Sequence, residues 1–247
     1  MTDTPTDLSS RFGQEPPPGH HANVTPRDAA TLILLDRSGS EPKVLLGKRH
    51  HGHVFLPGKF VFPGGRVEPT DRLVKAAAPL ESATEERLMR QVRRPSKARA
   101  QAMAMAAVRE TFEETGLLLG QRNRGTLKVP QGPWSAFAEA GVHPDLSTIR
   151  FIARAVTPPR RPRRYDTRFF TADASAIVHE VGGMVGPDSE LVELVWVRLS
   201  EARKLDILTI TEMVLEDLQK QIEDGFRPDA PVPYYRLVKG RRLRETL

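Results

Sequence analysis

Arg109-Glu110-Thr111-Phe112-Glu113-Glu114-Thr115-Gly116 closes a run from Lys97 that is rich in alanine and free of glycine and proline until Gly116. That composition predicts a helix. Pro95-Ser96 can start it, and Gly116 stands where a left-handed glycine ends helices. On such a helix Glu110, Glu113 and Glu114 lie at i, i+3 and i+4 and share one face. Met105, Val108 and Phe112 form another face, roughly opposite, suited to a core. Like charges at this spacing repel by about 0.2–0.5 kcal/mol per pair. They also sit at the helix C-terminus, where the macrodipole disfavours anions. Arg109 is one cation for three carboxylates. Hard divalent cations that take oxygen ligands, Mg²⁺ or Mn²⁺, are the natural compensation. Taken alone, a Glu-x-x-Glu-Glu pattern is common and reads first as a solvated acidic patch; its neighbours decide the matter.

Upstream lies Phe62-Pro63-Gly64-Gly65. Two glycines after a short apolar strand at 59–62 permit a close backbone approach. Residues 29–35 and Lys43–Arg49 read as strands, joined into a hairpin by the turn chemistry of Asp36-Arg37-Ser38-Gly39-Ser40. Residues 1–26 are rich in Pro, Thr, Gly and Asp and read as a mobile arm. Residues 72–95 read as an inserted helical segment, with Ser82 and Glu85 at capping-box spacing ahead of Leu88, Met89 and Val92. Downstream, 149–156, 167–171 and 191–197 read as strands. Residues 133–140 and 211–222 read as helices, the second amphipathic through Met213, Val214, Leu215, Leu218 and Ile222. The basic stretch 236–247 reads as a disordered tail, leaving one domain at 27–235. Strands and helices mix without a βαβ repeat, which predicts a mixed α/β sandwich.

These motifs together resemble the Nudix hydrolase family. In that family's box a Gly is followed after five residues by Glu. After seven more come Arg-Glu, an aliphatic residue, any residue, Glu-Glu, any residue and Gly. Arg109 to Gly116 fits the second half, with Thr111 in the aliphatic position. Gly65 fits the first Gly, and Asp71 falls where Glu is expected, too displaced by the insertion after it for a role to be assigned. Arg109 comes 38 residues after Asp71 where the pattern has 8, which implies 30 inserted residues. A subgroup resembling peroxisomal coenzyme A diphosphatases carries such an insertion inside its box. Phe62 to Val67 and Arg163 to Phe170 look like that subgroup as well. The resemblance runs from about residue 28 to 225.

The resemblance implies specific properties. The fold is expected to be a Nudix-type α/β/α sandwich with a mixed β-sheet and an inserted helical segment in the box. Glu110, Glu113 and Glu114 are expected to hold Mg²⁺ or Mn²⁺, with the Gly65 carbonyl as a further ligand and Arg109 orienting the carboxylates. The substrate is expected to be a nucleoside-diphosphate-linked small molecule, coenzyme A or an acyl-coenzyme A first. ADP-ribose, NADH or a dinucleoside polyphosphate is the alternative, and family habit adds a homodimer.

The remaining residues supply candidates. In-line attack of an activated water on a diphosphate can be assisted by a general base; Glu190 and Glu193, beside a predicted strand, are candidates, as is a carboxylate of the helix itself. Arg161, Arg163 and Arg164, with Arg160, form a basic cluster suited to bidentate phosphate contact, and Asp166 can pair with a neighbouring arginine. His50, His51 and His53 precede the Phe-Pro-Gly-Gly stretch, and His53 is read as a substrate contact. The chain of 247 residues has no cysteine, which excludes disulfides, thiolate metal sites and a cysteine nucleophile and suits a cytoplasmic location. No signal-peptide pattern and no membrane-length apolar run is visible. A net charge of +6 favours polyanionic ligands, a small nucleotide ahead of nucleic acid. A non-catalytic ligand- or RNA-binding module is the remaining reading, and three mutually repelling carboxylates argue against it.

Overall fold

In the computed structural model, which describes residues 5–12, 21–52, 56–122 and 124–247, the apolar runs become the middle of a large mixed sheet. The strands are β1 (Thr6–Asp7), β2 (Arg27–Asp36), β3 (Lys43–Arg49), β4 (Phe60–Val61), β5 (Gly64–Arg66), β6 (Leu117–Leu119), β7 (Gln121–Arg122), β8 (Val142–His143), β9 (Arg150–Val156), β10 (Tyr165–Asp173), β11 (Ile177–Glu180), β12 (Leu191–Arg198), β13 (Pro233–Val238) and β14 (Arg241–Thr246). The helices are α1 (Ser82–Leu88), α2 (Lys97–Thr115), α3 (Trp134–Glu139), α4 (Leu199–Ala202) and α5 (Thr209–Glu223). The main sheet runs β1-β14-β13-β9-β10-β2-β3-β12, with β4 on β3 and β5 on β2. The β10–β2 and β13–β9 pairings are parallel and the others antiparallel.

Successive side chains of a strand point to opposite faces, and β2 shows what each face is for. Ala30, Leu32 and Leu34 meet Met103, Val108 and Phe112 of α2 and Trp134 and Phe137 of α3. Ile33 and Leu35 meet Met213, Val214, Leu215 and Leu218 of α5. Each such leucine or isoleucine, fully buried, contributes about 1.5–3 kcal/mol of hydrophobic stabilisation. The result is the expected α/β/α sandwich.

The helix α2 begins and ends where its sequence says. Ser96 caps it by accepting the Arg99 N–H through Oγ at 3.2 Å. Gly116 ends it at φ 79°, its N–H donating to the Phe112 carbonyl at 2.7 Å. The division into a core face and a polar face is less even than expected, because Ala102 through Arg109 are buried without a break. Alanine at many of those positions lets the helix lie close against the sheet.

Three expectations are corrected. The capping box does not form: Ser82 is already the first helical residue of α1, no side chain caps it, and the helix ends at Leu88, short of Met89 and Val92. Glu85 instead pairs with Lys97 at 2.8 Å. The stretch 236–247 is no disordered tail, because β13 and β14 form a hairpin on the main sheet. Nor is all of 1–26 an arm, since Thr6 and Asp7 pair with Arg244 and Leu243. The sheet thus runs past both limits of 27–235. The physical reason is that the basic residues find partners: Arg244 reaches Asp217 at 3.1 Å, Arg236 reaches Glu245 at 2.8 Å, and Arg11 reaches Glu216 at 2.7 Å.

Residues 72–95 lie on the body of the fold. Val74, Leu80 and Leu88 join the core beneath α2, and the Arg154 guanidinium donates to the Gln91 carbonyl at 3.1 Å. No helix among the described residues is long and apolar enough to cross a membrane.

Candidate active site

The site starts from backbone. Strand β5 runs antiparallel to β2, Gly65 opposite Ala30 and Gly64 opposite Thr31, with the C-terminal half of α2 against it. A Cβ on Gly65 would lie 2.5 Å from the Glu110 carboxylate, and one on Gly64 would lie 2.6 Å from the Ala30 carbonyl oxygen. Backbone leaves no room for a side chain on Gly64, and one on Gly65 would push the Glu110 carboxylate aside, so glycine lets the carboxylate helix meet the strand. The Gly64 N–H donates to Glu114 Oε2 at 3.2 Å.

Arg109 is the hub, and it is sealed: only 2% of its surface is exposed. Its Nε donates to Asp71 Oδ1 at 2.7 Å and its Nη2 to Asp71 Oδ2 at 3.1 Å. Nη1 donates to Glu110 at 2.9 Å and to Glu113 at 2.5 Å, and Nη2 also reaches the Arg66 carbonyl at 2.8 Å. Burial works against its charge, but the bonds to Asp71 and the charges of Glu110, Asp71 and Glu113 outweigh that and hold it protonated. Asp71, without an assigned role in the sequence, is therefore the anchor of Arg109. The intervening chain leaves it in place because the Glu68 N–H donates to its Oδ2 at 2.8 Å and the Trp134 indole N–H to its Oδ1 at 3.3 Å. Its signal in the sequence was its interval after Gly65; Trp134 gave none.

Thr111, in the aliphatic position, is fully buried, and its hydroxyl donates to the Ala107 carbonyl at 2.8 Å. That satisfies the only polar group the substitution brings into the core.

The three glutamates are short of cations. Burial, with the charges of Glu113 and Glu190, pushes Glu110 up to about 7 against the opposing pull of Arg109. Burial also raises Glu113. Glu114, 5% exposed, stands well above the ordinary carboxylate range, first from burial and then from the charges of Glu190 and Glu110. Glu190 thus lies close enough to act on both Glu110 and Glu114. Its own carboxylate pairs with Arg49 at 2.8 Å. Arg49, unforeseen from sequence, lowers the repulsion on Glu114, and its Nε is buried without a hydrogen-bond partner. Glu193 is exposed on β12, opposite Lys48. Among the described residues no three acidic or histidine side chains converge closely enough to hold a metal ion as they stand; Arg109 holds Glu110 and Glu113 to itself.

The basic cluster is elsewhere. Arg160, Arg161, Arg163 and Arg164 form the β9–β10 connection, and the Arg27 N–H donates to the Arg164 carbonyl at 2.9 Å. Arg27 precedes Ala30, the partner of Gly65, by three residues, so the loop lies on the order of 10–15 Å from the glycines. The Arg164 guanidinium is engaged by Asn23 Oδ1 and the Val24 carbonyl, both at 2.7 Å, and by the Thr157 carbonyl at 3.1 Å. Asp166 pairs with Arg154 at 2.7 Å and Arg168 at 2.9 Å, in line with the structural pairing read for it. His50 Nδ1 accepts the Gly52 N–H at 2.9 Å; His53 lies outside the described residues.

No family model and no curated protein matches the chain. Among solved structures it is similar to a NUDIX hydrolase from Alicyclobacillus acidocaldarius, at 29% identity and a TM-score of 0.57, over 78% of this chain and 90% of that one. It is also similar to the NUDIX domain of Shewanella oneidensis NrtR complexed with ADP ribose, at 13% identity, a TM-score of 0.44, and 88% and 99% coverage. An Ap4A hydrolase from C. elegans shows 13% identity and a TM-score of 0.41, over 80% and 99%. By fold the chain is of the Nudix hydrolase type, and the solved structure it resembles at 29% identity is an enzyme of that kind. The likeness to the Alicyclobacillus enzyme supports placing it in the Nudix family.

Proposed function

We propose that this chain is a Mg²⁺- or Mn²⁺-dependent diphosphatase that cleaves nucleoside-diphosphate-linked small molecules, with coenzyme A or its acyl esters as the favoured substrate. The observation that carries the reading is the packing of Glu110 against Gly65 beside Glu113, Glu114 and Glu190, four carboxylates with too few cations among them. Their oxygen donors, and a backbone with no side chain in the way, fit a hard divalent ion. Glu110, Glu113 and Glu114 would hold it, with the Gly65 carbonyl. When bound, the ion neutralises diphosphate charge and lowers the pKa of a coordinated water.

The protein's own part comes from its contacts. Arg109, fixed by Asp71, sets where Glu110 and Glu113 point. Glu190, exposed beside Arg49, would take the proton of the attacking water. Arg161 and Arg163, a short way along the sheet, suit the phosphates of a long substrate such as coenzyme A. Arg164 contributes by shaping that loop, since its guanidinium is already engaged. The choice of coenzyme A rests on the sequence resemblance at 62–67 and 163–170, as does the homodimer; the lack of cysteine suits a cytoplasmic enzyme.

The test is turnover on coenzyme A, NADH, ADP-ribose, a dinucleoside polyphosphate and capped RNA, with Mg²⁺ or Mn²⁺. Coenzyme A should give 3′,5′-ADP and phosphopantetheine. A preference for NADH or ADP-ribose removes the substrate assignment, and no product from any of them removes the enzymatic one.

A further inference from the structure

Glu190 is presented by a loop that is fastened at both ends. Residues 181–190 join β11 to β12. At the near end the Val181 N–H donates to the Gly116 carbonyl at 2.9 Å, and a Cβ on Gly116 would strike the Val181 carbonyl oxygen. The loop thus starts against the end of the carboxylate helix. At the far end the His50 N–H donates to the Glu190 carbonyl at 3.2 Å, and Leu191 pairs with Arg49 across the β3–β12 ladder. Leu191 is fully buried over Gly47, where a Cβ would collide with it. The register slips between Leu191 and Glu193, and such a bulge re-aims the side chains beside it. The backbone of Glu190 is therefore fixed.

Its side chain is not fixed by packing. It is 46% exposed, and its one ion pair among the described residues is with Arg49 Nη2 at 2.8 Å. Glu190 lies close enough to Glu110 and Glu114 to act on both, so like charge drives a free carboxylate outward. Arg49 opposes that drive. Its own side chain is only 11% exposed, so the cation is held. Its hydrogen-bonding needs do not explain its place. Arg154, by contrast, is bonded on several sides, to both Asp166 oxygens at 2.7 Å and to the Gln91 carbonyl at 3.1 Å. Arg49 pairs with Glu190 and leaves a buried Nε without a partner. A buried donor left unpaired works against stability. What this arginine contributes therefore lies in its charge and its reach.

We propose that Arg49 is the positioning residue for Glu190, a held cation that draws an exposed carboxylate back against the repulsion of Glu110 and Glu114. The inference rests on the diphosphatase reading, with Glu190 as its base. A general base works only within hydrogen-bond reach of the proton it abstracts. A long exposed side chain keeps to one place only when a neighbour holds it there. Arg49 supplies that hold from β3, and it acts through Glu190 and not on the substrate.

The test is a double-mutant cycle in turnover at saturating Mg²⁺, on whichever substrate of the panel above the parent cleaves fastest. Arg49→Gln should lower kcat by about 10- to 100-fold, with KM and the Mg²⁺ requirement close to the parent's. Arg49→Lys, which keeps the charge, should recover part of that loss. In the Glu190→Gln background Arg49→Gln should cost nothing further, because the two residues act as a unit. Additive losses, a raised KM at unchanged kcat, or a shifted Mg²⁺ requirement would show Arg49 acting on the substrate or on the other glutamates, and each overturns the proposal. A crystal structure of Arg49→Gln adds a readout that needs no turnover. The β3–β12 ladder should persist while the Glu190 carboxylate turns to solvent; an unmoved carboxylate overturns the proposal as well. Arg49→Met, which keeps the apolar stem, takes the place of the glutamine variant if that one does not fold. Slow turnover in Glu190→Gln beside parent-like turnover in Arg49→Gln removes this proposal alone. Parent-like turnover in Glu190→Gln removes the base, and the role of Arg49 with it; no turnover by the parent removes the enzymatic reading itself.

Discussion

Asp71 and Arg109, 38 residues apart in the chain, form a two-pronged ion pair at 2.7 and 3.1 Å with both side chains sealed from solvent. Removing one partner strands the other charge, which costs about 3–5 kcal/mol in a buried pair. Asp71→Asn should lower stability by that order in urea titrations. It should also slow turnover, because Arg109 then loses the anchor that sets its reach to Glu110 and Glu113. A variant as stable as the parent would show that the pair is incidental.

Gly65→Ala tests the close approach. The atom its Cβ would strike belongs to the end of a flexible side chain, Glu110, so the fold should survive and Glu110 should move. The expected result is a near-normal circular dichroism spectrum with a raised metal requirement and turnover down at least tenfold. Unaltered metal dependence would separate Gly65 from the site.

Glu114→Gln should abolish hydrolysis with the fold intact. Near-normal turnover at saturating Mg²⁺ in a folded variant would end the proposed role of the glutamate cluster.

The metal-free protein should lose stability as pH rises. Glu110 holds its proton up to about 7 in the folded chain, against about 4.3 in an unfolded one. Below that lower value both states are protonated and there is no difference. Between the two, the folded state binds more protons, so its stability falls with rising pH by up to about 4 kcal/mol from this group. Thermal scans in EDTA from about pH 4.5 to 8 should show this slope, and Glu110→Gln should make it shallower, the raised Glu113 and Glu114 supplying the rest. A parent slope no steeper than that of the variant would contradict it.

Glu190→Gln should reduce kcat by about 10²–10⁴ if Glu190 takes the proton from water. The acidic limb of the pH–rate profile should go with it. Glu193→Gln, exposed on β12 opposite Lys48, is the matched control and should change neither.

Much of this was legible in the residues. The strand around Leu32 and Ile33 and the helix from Ser96 to Gly116 declare themselves through local signals: apolar runs, a cap, a terminal glycine. The face shared by Glu110, Glu113 and Glu114 follows from helix geometry alone. The features that stayed hidden depend on partners distant in sequence. Asp71 reads as displaced until Arg109 is seen to hold it. Arg49 has no signal until β3 and β12 bring it to Glu190. The stretch from Arg236 reads as a charged tail until Asp217 and Glu245 are found beside it. Ser82 failed for the opposite reason: its spacing to Glu85 was right, but Lys97 of α2 competes for that glutamate.

The pairing of Thr6 and Asp7 with Arg244 and Leu243 sets an order of events during synthesis. The sheet's outer rim joins strands far apart in sequence, so a nascent polypeptide cannot seal that side until the stretch 233–246 has left the ribosome. Until then the free margin of β9 is uncovered and open to pairing with other chains, so the rim is among the late parts of the sheet to be protected.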